Sequence, residues 1–141
     1  PLPPIRISEI HFNPSEPTEN ERLEGLNNND AFEFIEFQNV GQSPIQLEGY
    51  RVSDAIDFRF DKHLLGPGEY VVVAADAKAF AVRYGKDIGG VFESGKLDDS
   101  GERIRLYSSE EELIHDFRYS PDWFSESDGK GSSIETINHQ K

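Results

Sequence analysis

Short extended segments alternate with turn residues along the chain, and this pattern constrains the fold more than any other feature. The segment 34–39 ends at Gly41, and a Gly-Pro-Gly turn at 66–68 precedes the apolar run 70–74. Strands of this length, separated by Gly, Pro, Asn and Asp, are typical of all-β domains. The sequence therefore predicts an all-β fold, either a sandwich or a small barrel.

One segment has helical rather than strand periodicity. Between residues 77 and 84 the apolar side chains recur three and four positions apart, after Asp76 as a candidate N-cap and before Gly85 as a candidate C-cap. This predicts one short helix near residues 76–84, which we expect to cover an open end of the barrel.

The organisation along the chain predicts a single domain. Residues 1–4 are proline-rich and resemble the end of a linker, residues 5–138 form the domain, and residues 139–141 form a tail. In the first strand, alternation places Ile5, Ile7 and Glu9 on one face. The polar residues 13–30 predict a long surface loop between the first two strands, which is either functional or mobile.

The charge balance excludes several classes of partner. The chain carries 27 acidic and 14 basic side chains, a formal net charge of −13. A phosphate backbone or an anionic membrane surface needs a basic face, so no nucleic-acid partner is expected. No apolar run approaches the roughly 20 residues of a membrane-spanning helix, so no membrane insertion is expected. Cysteine is absent, which excludes disulfides and thiolate metal sites.

No catalytic signature is found in the sequence. Nucleophilic catalysis needs a nucleophile, a base and an orienting group, but the four histidines are scattered and no Gly-x-Ser-x-Gly elbow occurs. No His pair has the spacing of zinc ligands. We therefore predict no catalytic residues, no bound organic cofactor and no enzymatic activity.

Carboxylates near the ends of strands suggest a calcium site. Calcium takes six to eight oxygen ligands, which Asp and Glu supply. Glu9 and Glu36 lie on neighbouring predicted strands. The other candidates lie near strand ends: Asp54, Asp57, Asp122 and Asp128. The alternative interpretation is a solvated acidic edge, which the composition favours.

An aromatic cluster near the C-terminus is the candidate partner-binding site. Tyr119, Trp123 and Phe124 lie close together around Pro121. If exposed, they would stack on a sugar ring or anchor a protein partner. If buried, they would fill the core or close one end of the barrel, which is the commoner role of a single Trp.

Six blocks of the sequence, in order, resemble the bacterial branch of the lamin-tail domain. They cover most of the chain: residues 7–10, 33–39, 47–54, 65–72, 95–106 and 128–135. The resemblance implies an immunoglobulin-like β-sandwich. It also implies an accessory module of a secreted or surface protein, with no activity of its own. A nuclear scaffold role is not implied, because the chain lacks both a heptad rod and a terminal Cys box.

The sequence as a whole predicts a non-catalytic structural or interaction module of a larger exported bacterial protein. Its role would be spacing, surface attachment or binding of a protein or cell-surface component, in an extracellular or cell-surface location. One alternative is a calcium-dependent adhesion or carbohydrate-binding module. Another is an accessory domain of a hydrolase.

Overall fold

Two five-stranded sheets and one two-stranded sheet make up the fold of the computed structural model, which describes residues 2–97, 101–119 and 134–135. The strands in chain order are β1 (Ile5–His11), β2 (Phe34–Asn39), β3 (Ile45–Gln46), β4 (Arg51–Asp54), β5 (Ile56–Arg59), β6 (Leu64–Leu65), β7 (Tyr70–Ala74), β8 (Gly90–Val91), β9 (Ser94–Gly95), β10 (Glu102–Tyr107), β11 (Leu113–Tyr119) and β12 (Ile134–Glu135). The predicted all-β sandwich is confirmed.

Neighbouring strands are mostly antiparallel. The first sheet has the order β12-β1-β2-β7-β8, and only the β7–β8 pair is parallel. The second sheet has the order β11-β10-β4-β5-β9, and β3 pairs with β6 in the small third sheet. Antiparallel strands alternate inward and outward side chains, so each large sheet has one face toward the core and one outer face.

The hydrophobic core lies between the two large sheets. Ile35, Phe37 and Val73 face it from the first sheet, and Ile104 and Leu106 face it from the second, each with 5 % or less of its surface exposed. Burying such side chains contributes about 1.5–3 kcal/mol each, which allows a domain without disulfides to fold.

A β-bulge in β1 changes the predicted orientation of the first strand. The pairing with β2 shifts between Ile7 and Glu9, so Ser8 is the extra residue. After the bulge, Ile10 and Phe12 enter the core, fully buried, while Glu9 lies on the outer face. The prediction that Glu9 shares the face of Ile5 is therefore wrong, because one inserted residue reverses the alternation.

The predicted helix is present as α2 (Ala77–Tyr84). The Asp76 side chain accepts a hydrogen bond from the Ala79 backbone N–H, and Gly85 ends the helix with a φ of 65°. The helix does not cover an end of a barrel as predicted. It packs on the outer face of the first sheet, where Phe80 contacts Phe34 and Ala74, because Phe34 points away from the core.

The segment 13–30 is more structured than the predicted loop. It contains α1 (Glu19–Leu23), and a 3-10 helix (Asn29–Phe32) follows. Thr18 and Glu21 form a capping box at the start of α1, with Thr18 N donating to Glu21 Oε1 at 2.8 Å and Glu21 N donating to Thr18 Oγ1 at 3.2 Å. The Thr-x-x-Glu spacing was a readable signal for this helix. The division into residues 1–4, 5–138 and 139–141 stays a prediction.

Candidate functional site

The predicted calcium ligands lie on different sheets. Glu9 and Glu36 are directly opposite each other on β1 and β2, and the Ser8 hydroxyl donates to Glu36 Oε1 at 2.7 Å. Asp54 ends β4 in the second sheet, where its Oδ2 lies 3.5 Å from Nε of Arg105. The predicted grouping of Asp54 with Glu9 and Glu36 is therefore wrong, because the two sheets turn these carboxylates outward in opposite directions.

The remaining calcium candidates do not complete a site in the described part of the chain. Asp57 lies on the outer face of β5 and accepts a hydrogen bond from Ser94 Oγ at 2.7 Å. Asp122 and Asp128 lie outside the described residues. Within residues 2–97, 101–119 and 134–135, no three His, Asp or Glu side chains form a group able to hold a metal ion.

Tyr119 belongs to the core and not to an exposed aromatic cluster. It is the last residue of β11, fully buried, and its ring centroid lies 5.1 Å from that of Phe12. The prediction that Tyr119 presents its ring to a partner is therefore wrong, since β11 extends to residue 119 and directs this side chain inward. Trp123 and Phe124 lie outside the described residues, and their role stays a prediction.

The second sheet carries a row of arginines on its outer face. On β4, β5, β10 and β11, the buried residues alternate with outward-pointing polar ones. We call this surface the arginine face and define it by the outward residues Arg51, Ser53, Asp57, Arg59, Arg103, Arg105, Tyr107, Asp116 and Arg118. It holds five of the eight arginines of the chain and none of the four lysines that lie in the described residues.

The strand register arranges these residues in neighbouring rows. Arg103 on β10 is opposite Arg118 on β11, and Arg51 on β4 is opposite Arg59 on β5. Like charges directly opposite each other destabilise a sheet unless other groups compensate. The carboxylates of the arginine face therefore offset part of this repulsion.

A bidentate ion pair fixes Arg51. Its Nε and one terminal nitrogen donate to Glu111 Oε1 at 3.0 and 2.7 Å, and Nε also lies 3.1 Å from Oε2. The guanidinium carbon lies 4.1 Å from the ring centroid of Tyr107, a cation–π contact. These hydrogen bonds lower the pKa of Glu111 below its ordinary value, so Glu111 stays ionised at neutral pH.

A second bidentate pair lies at the other side of the face. Arg103 donates to both carboxylate oxygens of Asp116, each at 2.8 Å, and these hydrogen bonds lower the pKa of Asp116. Arg105 lies between this pair and β4, with its Nε 3.5 Å from Asp54 Oδ2 and 3.8 Å from Asp116 Oδ1. Ionised carboxylates thus separate the arginines along the face.

A shallow groove of about 240 Å³ lies at the β5 side of the arginine face. It is lined by Arg51, Val52, Asp57, Phe58, Arg59 and Glu93. The Arg59 backbone N–H donates to Glu93 Oε2 at 3.0 Å, and its guanidinium donates to the Gly49 carbonyl at 3.1 Å. The groove is open to solvent and combines guanidinium, aromatic and carboxylate groups.

This arrangement suits recognition of another macromolecule. Arginine and tyrosine are enriched in protein interfaces, and lysine is depleted there. Arginine presents five N–H donors in a planar fork, which matches carboxylate groups better than the ammonium of lysine does. The signal for this face in the sequence is the period-two spacing of Arg103, Arg105 and Tyr107, which is not a catalytic motif.

Comparison with known proteins identifies the family of the chain. The model of the Lamin Tail Domain family, a family of immunoglobulin-like domains, matches residues 1–121. No curated protein matches the chain. Among the described residues, no helix combines the length and apolar character needed to span a bilayer.

Proposed function

The chain belongs to the lamin tail domain family, and on that premise we propose that it is a non-catalytic module that binds a protein partner through the arginine face. We propose further that it is part of a larger exported bacterial protein, at the cell surface or outside the cell. This context is supported by the resemblance of the six sequence blocks to the bacterial branch of the family.

The observation that carries the proposal is the selective placement of arginine. A surface whose only task is solubility would carry lysine and glutamate in mixed positions. Among the described residues, the arginine face instead carries no lysine, and Arg51 stacks on Tyr107. Arginine and tyrosine are also the residues that most often dominate the binding energy of protein interfaces.

The charge of the whole chain also favours this face over the rest of the surface. With a net charge of −13, most of the surface repels other acidic proteins. On the arginine face, the cations of Arg51 and Arg103 are balanced by Glu111 and Asp116. This balance removes the long-range repulsion at the place where we propose that a partner docks.

Selection of random peptides displayed on phage tests the proposal. The double variant Arg59→Gln/Arg118→Gln removes two exposed arginines from the face. The control Arg22→Gln/Lys86→Gln removes the same charge from α1 and from the segment after α2. Peptides selected on the unmodified domain should bind the control variant as tightly as the unmodified domain. They should not bind the Arg59→Gln/Arg118→Gln variant. Equal binding to both variants would contradict the proposal.

A further inference from the structure

We propose that the arginine face binds an acidic segment of its partner protein, through the guanidinium groups of Arg59, Arg105 and Arg118. This inference rests on the proposed function and names the chemistry of the partner. It follows from which hydrogen-bonding groups of the face are occupied and which are available.

The carboxylates of the face are occupied. Glu111 and Asp116 each accept bidentate bonds from one arginine. Asp57 accepts from the Ser94 hydroxyl, and Glu93 accepts from the Arg59 backbone N–H. Asp54 is paired with Arg105. Each of these carboxylates therefore already has a hydrogen-bond donor or an ion-pair partner within the domain.

Three guanidinium groups keep N–H donors available. Arg59 uses one donor, toward the Gly49 carbonyl. The Nε of Arg105 is buried between two carboxylates within 3.8 Å, but 31 % of the side chain is exposed, and none of the described residues accepts a hydrogen bond from its terminal nitrogens. Arg118 is exposed, and no ion pair joins it to another described residue. These charged donors keep unused hydrogen-bonding positions, and a carboxylate is their complement.

The geometry favours an extended peptide over a compact anion. Arg118 lies on the edge strand β11, Arg105 on β10, and Arg59 on β5, beyond β4. Strands in a sheet are about 4.8 Å apart, so these arginines span three strand intervals, roughly 14 Å. One phosphate or sulfate cannot reach across this distance. A peptide with several carboxylates can contact all three.

A nucleic acid is the less favoured polyanion. Its phosphates would contact the same donors, but a polyanion of that charge density is repelled by the 27 acidic side chains of the domain. An acidic peptide carries fewer charges and places them only at the arginines.

Fluorescence anisotropy with synthetic peptides tests this inference. The probe is a fluorescein-labelled peptide of about twelve residues with alternating Asp and Ser, compared with its Asn and Ser counterpart. The Asp peptide should bind, and its affinity should fall as NaCl is raised from about 50 to about 300 mM. The Arg59→Gln/Arg118→Gln variant should bind it about tenfold more weakly or worse, and the Arg22→Gln/Lys86→Gln control within about twofold of the unmodified domain.

A gain-of-binding variant provides an independent check. Glu111→Gly releases Arg51 from its carboxylate and adds an available guanidinium to the face, so it should bind the Asp peptide about threefold or more tightly. Unchanged or weaker binding by this variant, or equal binding of the Asn peptide, would overturn the inference. Tighter binding of a thymidine oligonucleotide of similar length would also overturn it.

The two proposals fail in different ways. If the phage selection yields peptides that depend on the arginine face but lack carboxylates, the acidic partner is wrong and the interaction face stands. If no selected peptide depends on the face, the proposed function itself is wrong.

Discussion

Arg83 on α2 donates two hydrogen bonds to the carboxylate of Glu21 on α1, at 2.7 and 3.0 Å, although the two residues are 62 positions apart. The same guanidinium donates to the Ser15 and Glu16 carbonyls and lies 3.5 Å from the ring centroid of Phe32. Arg83 therefore joins both ends of the segment 13–32 to the helix behind the first sheet.

Removing Arg83 should destabilise the domain strongly. Arg83→Met keeps the apolar stem but leaves the buried Glu21 carboxylate without its partner, and breaking a buried ion pair costs about 3–5 kcal/mol. Urea denaturation measures the free energy of unfolding. The control Arg22→Met removes an exposed arginine of α1 and should change this free energy by less than about 0.5 kcal/mol. An equally small change in Arg83→Met would show that the Arg83–Glu21 ion pair contributes little to the free energy of unfolding.

The same pair predicts a defined dependence of stability on pH. The hydrogen bonds from Arg83 lower the pKa of Glu21 from 4.5 to about 2. A carboxyl whose pKa is lowered by folding stabilises the native state fully above its unfolded pKa, and this contribution is lost as pH falls through the folded pKa. The unmodified domain should exceed Glu21→Gln in stability by a constant amount above about pH 5.5, and the difference should shrink between about pH 4.5 and pH 2. Urea titrations of both proteins at several pH values measure it. A difference that does not vary with pH would contradict the prediction.

Replacing Glu111 by glycine should leave stability nearly unchanged. Glu111 has a φ of 63°, a left-handed conformation that costs a non-glycine residue about 1–2 kcal/mol. Relief of this strain offsets the loss of the exposed ion pair, which water screens. It also offsets the greater freedom of glycine in the unfolded chain, which costs about 0.5–1 kcal/mol. Thermal and urea unfolding of Glu111→Gly should therefore show a change within about 1 kcal/mol.

The neighbouring Glu110 provides the control for that substitution. Glu110 lies in the same turn without a positive φ, so Glu110→Gly gains no relief of strain and should lose about 0.5–1 kcal/mol. A loss above about 2 kcal/mol in Glu111→Gly would mean that its pair with Arg51 holds the hairpin together.

Gly95 should not tolerate a side chain. It has a φ of 85°, and a Cβ there would lie 2.5 Å from the Ala55 carbonyl oxygen and 2.9 Å from the Ile56 Cα, both backbone atoms at the start of the paired strand β5. Gly95→Ala should therefore lose at least about 3 kcal/mol of unfolding free energy. Gly68→Ala is the matched control, because its φ is 77° but no atom lies within 4 Å of the added Cβ. It should lose about 1–2 kcal/mol. Equal losses would show that the backbone conformation, and not the contact with β5, sets the cost.

Local sequence signals predicted those parts of the fold that depend on neighbours along the chain. Strand alternation and turn residues gave the all-β class, and Asp76 with Gly85 gave the ends of α2. The bulge at Ser8 was not predictable in this way, because an inserted residue is visible only in the pairing with β2. The capping box of Thr18 and Glu21 is visible in the sequence, but the polar composition of residues 13–30 favoured the prediction of a loop there.

The sequence by itself determined the all-β class, which follows from short-range periodicity, and the net charge of −13. It also determined the family, through the match of the family model to residues 1–121. Only the tertiary structure decided which polar residues share a surface. Pairing of β4 with β10, which are distant in sequence, joined the Arg51–Arg59 and Arg103–Arg118 pairs into one surface. The strand order also placed Asp54 away from Glu9 and Glu36. The physical reason is that strand order and register are set by burial of the core residues. The same packing therefore decides which outward-pointing residues become neighbours on the surface.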